Sequence, residues 1–157
     1  MIPSFRLFAA QTRRLAVTLA LAAGLVWLAG PRARAASRAP RLYVLVSAEA
    51  ARAGVPARLA HAIVAIESGY RAGARSSAGA LGIGQIKCRT ARGVGFRGAC
   101  ARLFDPSINL RFAMRYLRLA LNRGGAGCAG LSLYQRGIYA RPRCTAYGRK
   151  ALHLTGA

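Results

Sequence analysis

Apolar residues along this chain recur mostly at helical spacing. Leu42, Leu45, Val46, Glu49, Ala50 and Ala53 recur at that spacing. They predict a helix that stops at Gly54. Pro56 stands at or near the first position of a second helix, where a missing N–H costs nothing. Leu59, Ala62, Ile63 and Ile66 form its apolar face, and Glu67 lies one turn beyond Ile63 at the edge of that face. Ser68-Gly69 and Gly73 end it. Residues 69–84 read as a loop, and residues 86–92 as a short helix. Gly93, Gly95 and Gly98 make the next loop. Asp105-Pro106 is a helix start, with Asp as N-cap and Pro as first helical residue. Leu110, Ala113, Met114, Leu117 and Leu121 follow as a core stripe, ended by Gly124-Gly125. Residues 128–136 read as one more helix, and the chain after Pro142 has no clear period. The fold class is all-α, with room for a minor β-hairpin beside Glu67.

The first residues follow a different pattern. Arg6, Arg13 and Arg14 precede an apolar run over residues 15–29, which Gly30-Pro31 breaks. Ala33-Arg34-Ala35 puts small residues at the two positions that determine cleavage. This is a secretory signal peptide over residues 1–35, cut after Ala35. The run is short for a membrane span, so the membrane enters only if the signal stays uncut. Thr12-Arg13-Arg14 is a weak twin-arginine signal. Residues 36–41 read as a linker and residues 42–157 as one domain. The location expected is periplasmic or secreted.

Charge narrows the partners. The 157 residues hold 25 Lys and Arg against 3 Asp and Glu, a net charge of +22. Removing Arg6, Arg13, Arg14, Arg32 and Arg34 with the signal lowers this by five, to +17. Such a charge favours an anionic partner: nucleic acid, anionic lipid or an acidic wall polymer. The cations are nearly all Arg and dispersed, unlike a nucleic-acid-binding tail, so no specific nucleic acid is expected. Four cysteines after the signal fit an oxidising compartment and permit three pairings. Cys88 and Cys100 flank a glycine-rich loop, and Cys128 and Cys144 flank the last helical segment; these two local pairs are expected. Zinc is the competing reading, and the absence of any Cys-x-x-Cys argues against it, so neither metal nor cofactor is expected.

The chemistry concentrates between residues 62 and 91. Glu67-Ser68, Ser76, Ala78-Gly79-Ala80, Gly82, Gln85-Ile86 and Thr90-Ala91 stand in one order. This order resembles the active-site signature of the soluble lytic transglycosylases with the goose-type lysozyme fold. Ile83-Gly84 replaces that family's usual Leu-Met, and Cys88 a frequent Pro. Asp105-Pro106-x-x-Asn109-Leu110 with Tyr116-Leu117, and Leu133-Tyr134-Gln135-x-Gly137, resemble its later motifs. The likeness runs over residues 42–137. It implies a lysozyme-like helical domain that cleaves peptidoglycan between N-acetylmuramic acid and N-acetylglucosamine and leaves 1,6-anhydro ends. It also implies roles. Glu67 is the catalytic acid, Ser76 and Gln85 hydrogen-bond the sugar near its acetamido group, and the Tyr134 hydroxyl orients the acid. Gln135 stands where the family has Asn. Gly84, lacking a side chain, is expected to widen the cleft.

The residues alone lead to the same acid. The side-chain carboxyls are Glu49, Glu67 and Asp105. Asp105 has a capping task, and Glu49, mid-helix among alanines, is expected on a solvated face. Glu67 ends an apolar helix, where burial and the helix carbonyls both disfavour its charged form. A carboxyl kept protonated near neutral pH suits a general acid. Ordinary glycoside hydrolysis uses two carboxylates. Intramolecular attack by the muramoyl 6-hydroxyl needs one. The surrounding arginines are expected to dock the wall rather than to line the cleft. His61 and His153 show no partner for catalysis. Rival readings are a muramidase of the same fold and a weakly active peptidoglycan-binding component of a secretion or conjugation apparatus.

Overall fold

The computed structural model describes the backbone of residues 31–156 and the side chains from Pro40 onward. The apolar run over residues 15–29 lies outside the described residues. The chain divides into the units Met1–Arg38 and Ala39–Ala157, and the second carries the core and the site described below.

Helix α1, Pro31–Arg52, contains Pro40. Residues 36–41, read as a linker, are therefore helical. From Leu42 on the helix buries Leu42, Val46 and Ala50. Glu49 sits on that buried face and is 2% exposed, not solvated as expected. It stands three residues from Val46, within the same stripe. The arginines beside it compensate: Arg52 pairs with it, and Arg111 and Arg115 line the same cavity.

Gly54, at φ +66°, turns the chain into α2, Ala57–Ser68. Gly69 ends α2 in the left-handed region, its N–H bonded to the Ala65 carbonyl. The glycine-rich segment then forms a two-stranded antiparallel hairpin, β1 (Ala80–Leu81) with β2 (Ile86–Lys87). The register pairs Ala80 with Lys87 and Leu81 with Ile86. Helix α3 is thus Cys88–Gly93, two residues later than its apolar start suggested. Ile86 and Lys87 are held by cross-strand bonds instead.

A 3₁₀ turn, Cys100–Phe104, leads into α4, Pro106–Gly124. The Asp105 carboxylate accepts from the N–H groups of Ser107 (2.8 Å) and Ile108 (3.2 Å). Leu110, Ala113, Met114 and Leu117 of α4 are fully buried and form the centre of the core. Helix α5, Cys128–Arg136, packs on α4, and α6, Ala146–His153, packs on α5 and reaches α2. Helix α6 lies where the sequence shows no clear period. Its Thr145 side chain caps the first turn, and Gly148 lies so close to Ser132 and the Cys128 carbonyl that a Cβ would clash. Disulfides join Cys88 to Cys100 and Cys128 to Cys144. The second ties the N-terminus of α5 to the chain entering α6. The architecture is mostly helical with one minor hairpin. No helix among the described residues is long and apolar enough to cross a membrane.

Candidate active site

Glu67 occupies the last turn of α2, where Leu59, Ile63 and Val64 are packed in the core. The helix end is tied to the hairpin turn by Ser68, whose buried hydroxyl donates to the Ile83 carbonyl at 2.6 Å. The turn is also pinned from α4. The Asn109 side-chain amide, fully buried, donates to the carbonyls of Leu81 (2.8 Å) and Leu103 (2.7 Å). Its oxygen accepts from the Gly84 N–H at 2.8 Å. Gly82, at φ +71°, leaves no room for a Cβ beside Asn109 and the Leu103 carbonyl.

Two cavities meet at this frame. Glu67 and Gln85 line both. On one side, about 260 Å³ is enclosed with Lys87, Thr90, Tyr116, Tyr134, Gln135 and Arg136. On the other, about 630 Å³ opens beside Arg71, Arg75 and Ser76. Burial raises the Glu67 pKa above the usual carboxylate range, partly countered by a hydrogen bond from Tyr147. The Tyr147 hydroxyl donates to Glu67 Oε1 at 2.6 Å. Burial and the neighbouring Glu67 charge hold the Tyr147 phenol far above its ordinary pKa, so it stays a donor.

The residues expected at the site, Ser76, Gln85, Tyr134 and Gln135, line the two cavities with Glu67. Tyr134 does not bond the acid: its hydroxyl donates to the Gly84 carbonyl at 2.7 Å. It thereby holds the hairpin turn, and burial keeps it protonated. The side chain on Glu67 is Tyr147, which sequence reasoning passed over. Its signal was a helix start, Thr145 followed by Gly148 packing on α5. Gln85 adopts φ +49°, and its Nε2 donates to the carbonyls of Gly82 (2.8 Å) and Ala74 (3.1 Å). Its amide oxygen is left to accept. The Ser76 hydroxyl accepts from the Ala80 N–H at 3.0 Å and keeps its own proton to donate. Gln135 is exposed at the rim. Gly84 does not widen the cleft. A Cβ there would come 2.7 Å from the Ala113 Cβ, towards α4.

The cations are also placed otherwise than expected. Lys87, Arg89 and Arg136 line one cavity, and Arg71 and Arg75 the other, with Glu67 the single acid. Among the described residues no three His, Cys, Asp or Glu gather as a metal site. His61 bonds Ser47 through one ring nitrogen and Tyr70 through the other.

Comparison with known proteins bears on this arrangement. The family model Transglycosylase SLT domain matches residues 45–143. Among solved structures, an inactive mutant of the lytic transglycosylase Slt from Pseudomonas aeruginosa is 23% identical, with TM-score 0.57. The match covers 60% of this chain and 16% of that one. The 70-kDa soluble lytic transglycosylase in complex with bulgecin A is 23% identical, with TM-score 0.50. That match covers 65% of this chain and 16% of the other. At this identity the likeness speaks for the fold, a lysozyme-like one, and the matched part is a small share of either larger protein. No curated protein matches the chain. The family model spans more than half of the sequence, including Glu67, the hairpin and α5, and the chain therefore belongs to the transglycosylase SLT domain family.

Proposed function

We propose that this protein is a peptidoglycan lytic transglycosylase. It cleaves the β-1,4 bond between N-acetylmuramic acid and N-acetylglucosamine and leaves a 1,6-anhydromuramoyl end. The observation that carries the reading is a single partly buried acid, Glu67, between two cavities, with the other two side-chain acids engaged elsewhere. Asp105 caps α4 and Glu49 pairs with Arg52. Glu67, whose pKa burial raises, gives its proton to the glycosidic oxygen as general acid. The substrate's 2-acetamido group supports the developing positive charge at the anomeric carbon. Glu67, now a carboxylate, takes the proton of the muramoyl 6-hydroxyl, and that oxygen bonds the anomeric carbon. Proximity favours this internal attack over a water that one carboxylate alone would have to place. Tyr147 holds Glu67 in one orientation. The Gln85 oxygen and Ser76 hydroxyl are offered to the substrate amide and hydroxyls, and Gln135 to its outer face.

We infer further that residues 1–35 are an export signal, cut after Ala35, and that the mature protein works in the periplasm or outside the cell. Two disulfides support an oxidising compartment. N-terminal sequencing of the exported protein should begin at Ala36.

Digestion of purified sacculi followed by mass spectrometry tests the activity. Released ends one water lighter than reducing muropeptides are expected. Reducing ends would mean a muramidase instead. No release would leave a binding role, as in a secretion or conjugation apparatus.

A further inference from the structure

The chain buries a carboxylate that the site at Glu67 does not use. Glu49 lines a cavity of about 100 Å³ with Arg52, Ala53, Arg111 and Arg115. Arg52, largely exposed, donates to it. Among the described residues no acid pairs with Arg111 or Arg115. Three arginines against one glutamate leave this cavity a net charge of +2. Arg111, Arg115 and Arg118 stand at i, i+4 and i+7 on α4, all exposed. Like charges at this spacing oppose the helix that carries them. Two of these guanidinium groups are nonetheless held in place. Arg115 lies over the Phe112 ring, 5.2 Å from its centroid, and Arg118 donates to the Gly54 carbonyl at 2.7 Å. Arg115 and Ala53 also line a second cavity, of about 290 Å³, with Arg118. Neither cavity shares a residue with the two that contain Glu67.

We propose that Arg52, Arg111 and Arg115 bind a dianionic phosphate group, either free phosphate or a phosphate monoester. Three guanidinium groups open on one small cavity. A carboxylate offers two oxygens in one plane and is saturated by a single guanidinium fork. A phosphate monoester offers three acceptor oxygens in a tetrahedral array and can accept from all three arginines. Its charge also matches the excess that Glu49 leaves unbalanced. A neutral sugar hydroxyl would relieve none of that charge. Glu49 holds Arg52 and Phe112 holds Arg115 before any ligand arrives, which lowers the ordering cost of binding. An anion between Arg111 and Arg115 turns a repulsive pair into an attractive cluster, so the ligand should stabilise α4.

Calorimetry on the full-length protein at constant ionic strength tests this, with inorganic phosphate as the probe and chloride as the balancing salt. One saturable site is expected, with Kd about 1 mM or below. Phosphate should also raise the melting temperature. Arg111→Gln with Arg115→Gln should weaken binding at least about tenfold. Both side chains are exposed, so a melting temperature no lower than wild type without phosphate verifies the fold. Arg123→Gln with Arg149→Gln removes the same charge elsewhere and should leave phosphate binding as in the wild type. Absence of saturable binding would overturn the proposal. So would binding that survives the Arg111 and Arg115 substitutions, or that falls equally in both double variants. Phosphatidylcholine vesicles containing phosphatidic acid separate the sources. Sedimentation with them that the Arg111 and Arg115 substitutions abolish assigns a lipid phosphate, and phosphate binding without it assigns a soluble one. Cleavage of soluble glycan by that double variant should stay at the wild-type rate, since the site lies apart from Glu67.

Discussion

At the scale of single residues, Glu67 is caught between burial and one hydrogen bond. Its pKa is raised by burial and lowered by Tyr147, and burial is the larger effect. A raised folded-state pKa contributes stability that is present below the unfolded value, near 4.5, and is lost as pH rises through the folded value. Glu67→Gln removes the ionisation. This variant should lose at least about a hundredfold in muropeptide release, the lower end of what a general acid contributes. It should melt no lower than wild type at pH 7, and any advantage should vanish near pH 4 in calorimetric scans. Release near the wild-type rate would remove Glu67 from the mechanism. Tyr147→Phe acts in the other direction on the same proton. Losing the bond that stabilises the carboxylate raises the Glu67 pKa further, so the alkaline limb of the pH–rate profile moves upward. Orientation is lost as well, and kcat should fall about tenfold, since small misplacements of a reacting group are costly. An unshifted alkaline limb would show that Tyr147 does not act on the acid.

At the scale of elements, two devices hold the site in place, and neither touches substrate. The hairpin turn hangs on Asn109 of α4, whose three hydrogen bonds are all buried. Asn109→Ala leaves one N–H and two carbonyls without partners and should cost about 3 kcal/mol in urea unfolding, given 1–3 kcal/mol for each buried unsatisfied group and partial relaxation. A loss below about 1 kcal/mol would mean that water replaces the amide. Helix α6 hangs on the Cys128–Cys144 bridge and on Ser132, whose hydroxyl donates to the Cys128 carbonyl and accepts from the Thr145 N–H. Replacing both cysteines by Ser should lower stability by about 3 kcal/mol. Because α6 carries Tyr147, the pH–rate profile should also shift as in Tyr147→Phe. A stability loss with an unaltered profile would show that packing on α5 alone positions the helix.

At the scale of the whole molecule, the charge is distributed over both the surface and the cleft. Five of the cations line the two cavities beside Glu67, and the salt bridge among the described residues is internal to α1. Among the described residues the other cations outnumber the two remaining side-chain acids, Glu49 and Asp105. Exposed charges are screened over about 10 Å at 0.1 M salt. Binding of the Glu67→Gln protein to sacculi should therefore weaken steadily with added salt in a pull-down assay. Salt-independent retention would assign wall binding to the cleft's uncharged contacts.

The sequence by itself determined the helices with long apolar stripes, the Asp105-Pro106 start of α4, the family motifs and the one acid among three that ends an apolar helix. These are local properties: a period, a cap, a spacing. Tertiary structure decided what depends on contacts far apart in the chain. Eighty residues separate Tyr147 from Glu67, and no periodicity records that contact. The choice between Tyr134 and Tyr147 as the partner of the acid rests on how α5 and α6 pack. Glu49 looked solvated because its neighbours are small, yet α1 turns that face inward against the arginines of α4. Ile86 and Lys87 favoured a helix locally and were taken by the hairpin, since its cross-strand hydrogen bonds and the buried Asn109 amide outweigh a first helical turn. Gly84 illustrates the same limit: its missing side chain is visible in the sequence, but only the packing of α4 decides that it faces the core rather than the cleft.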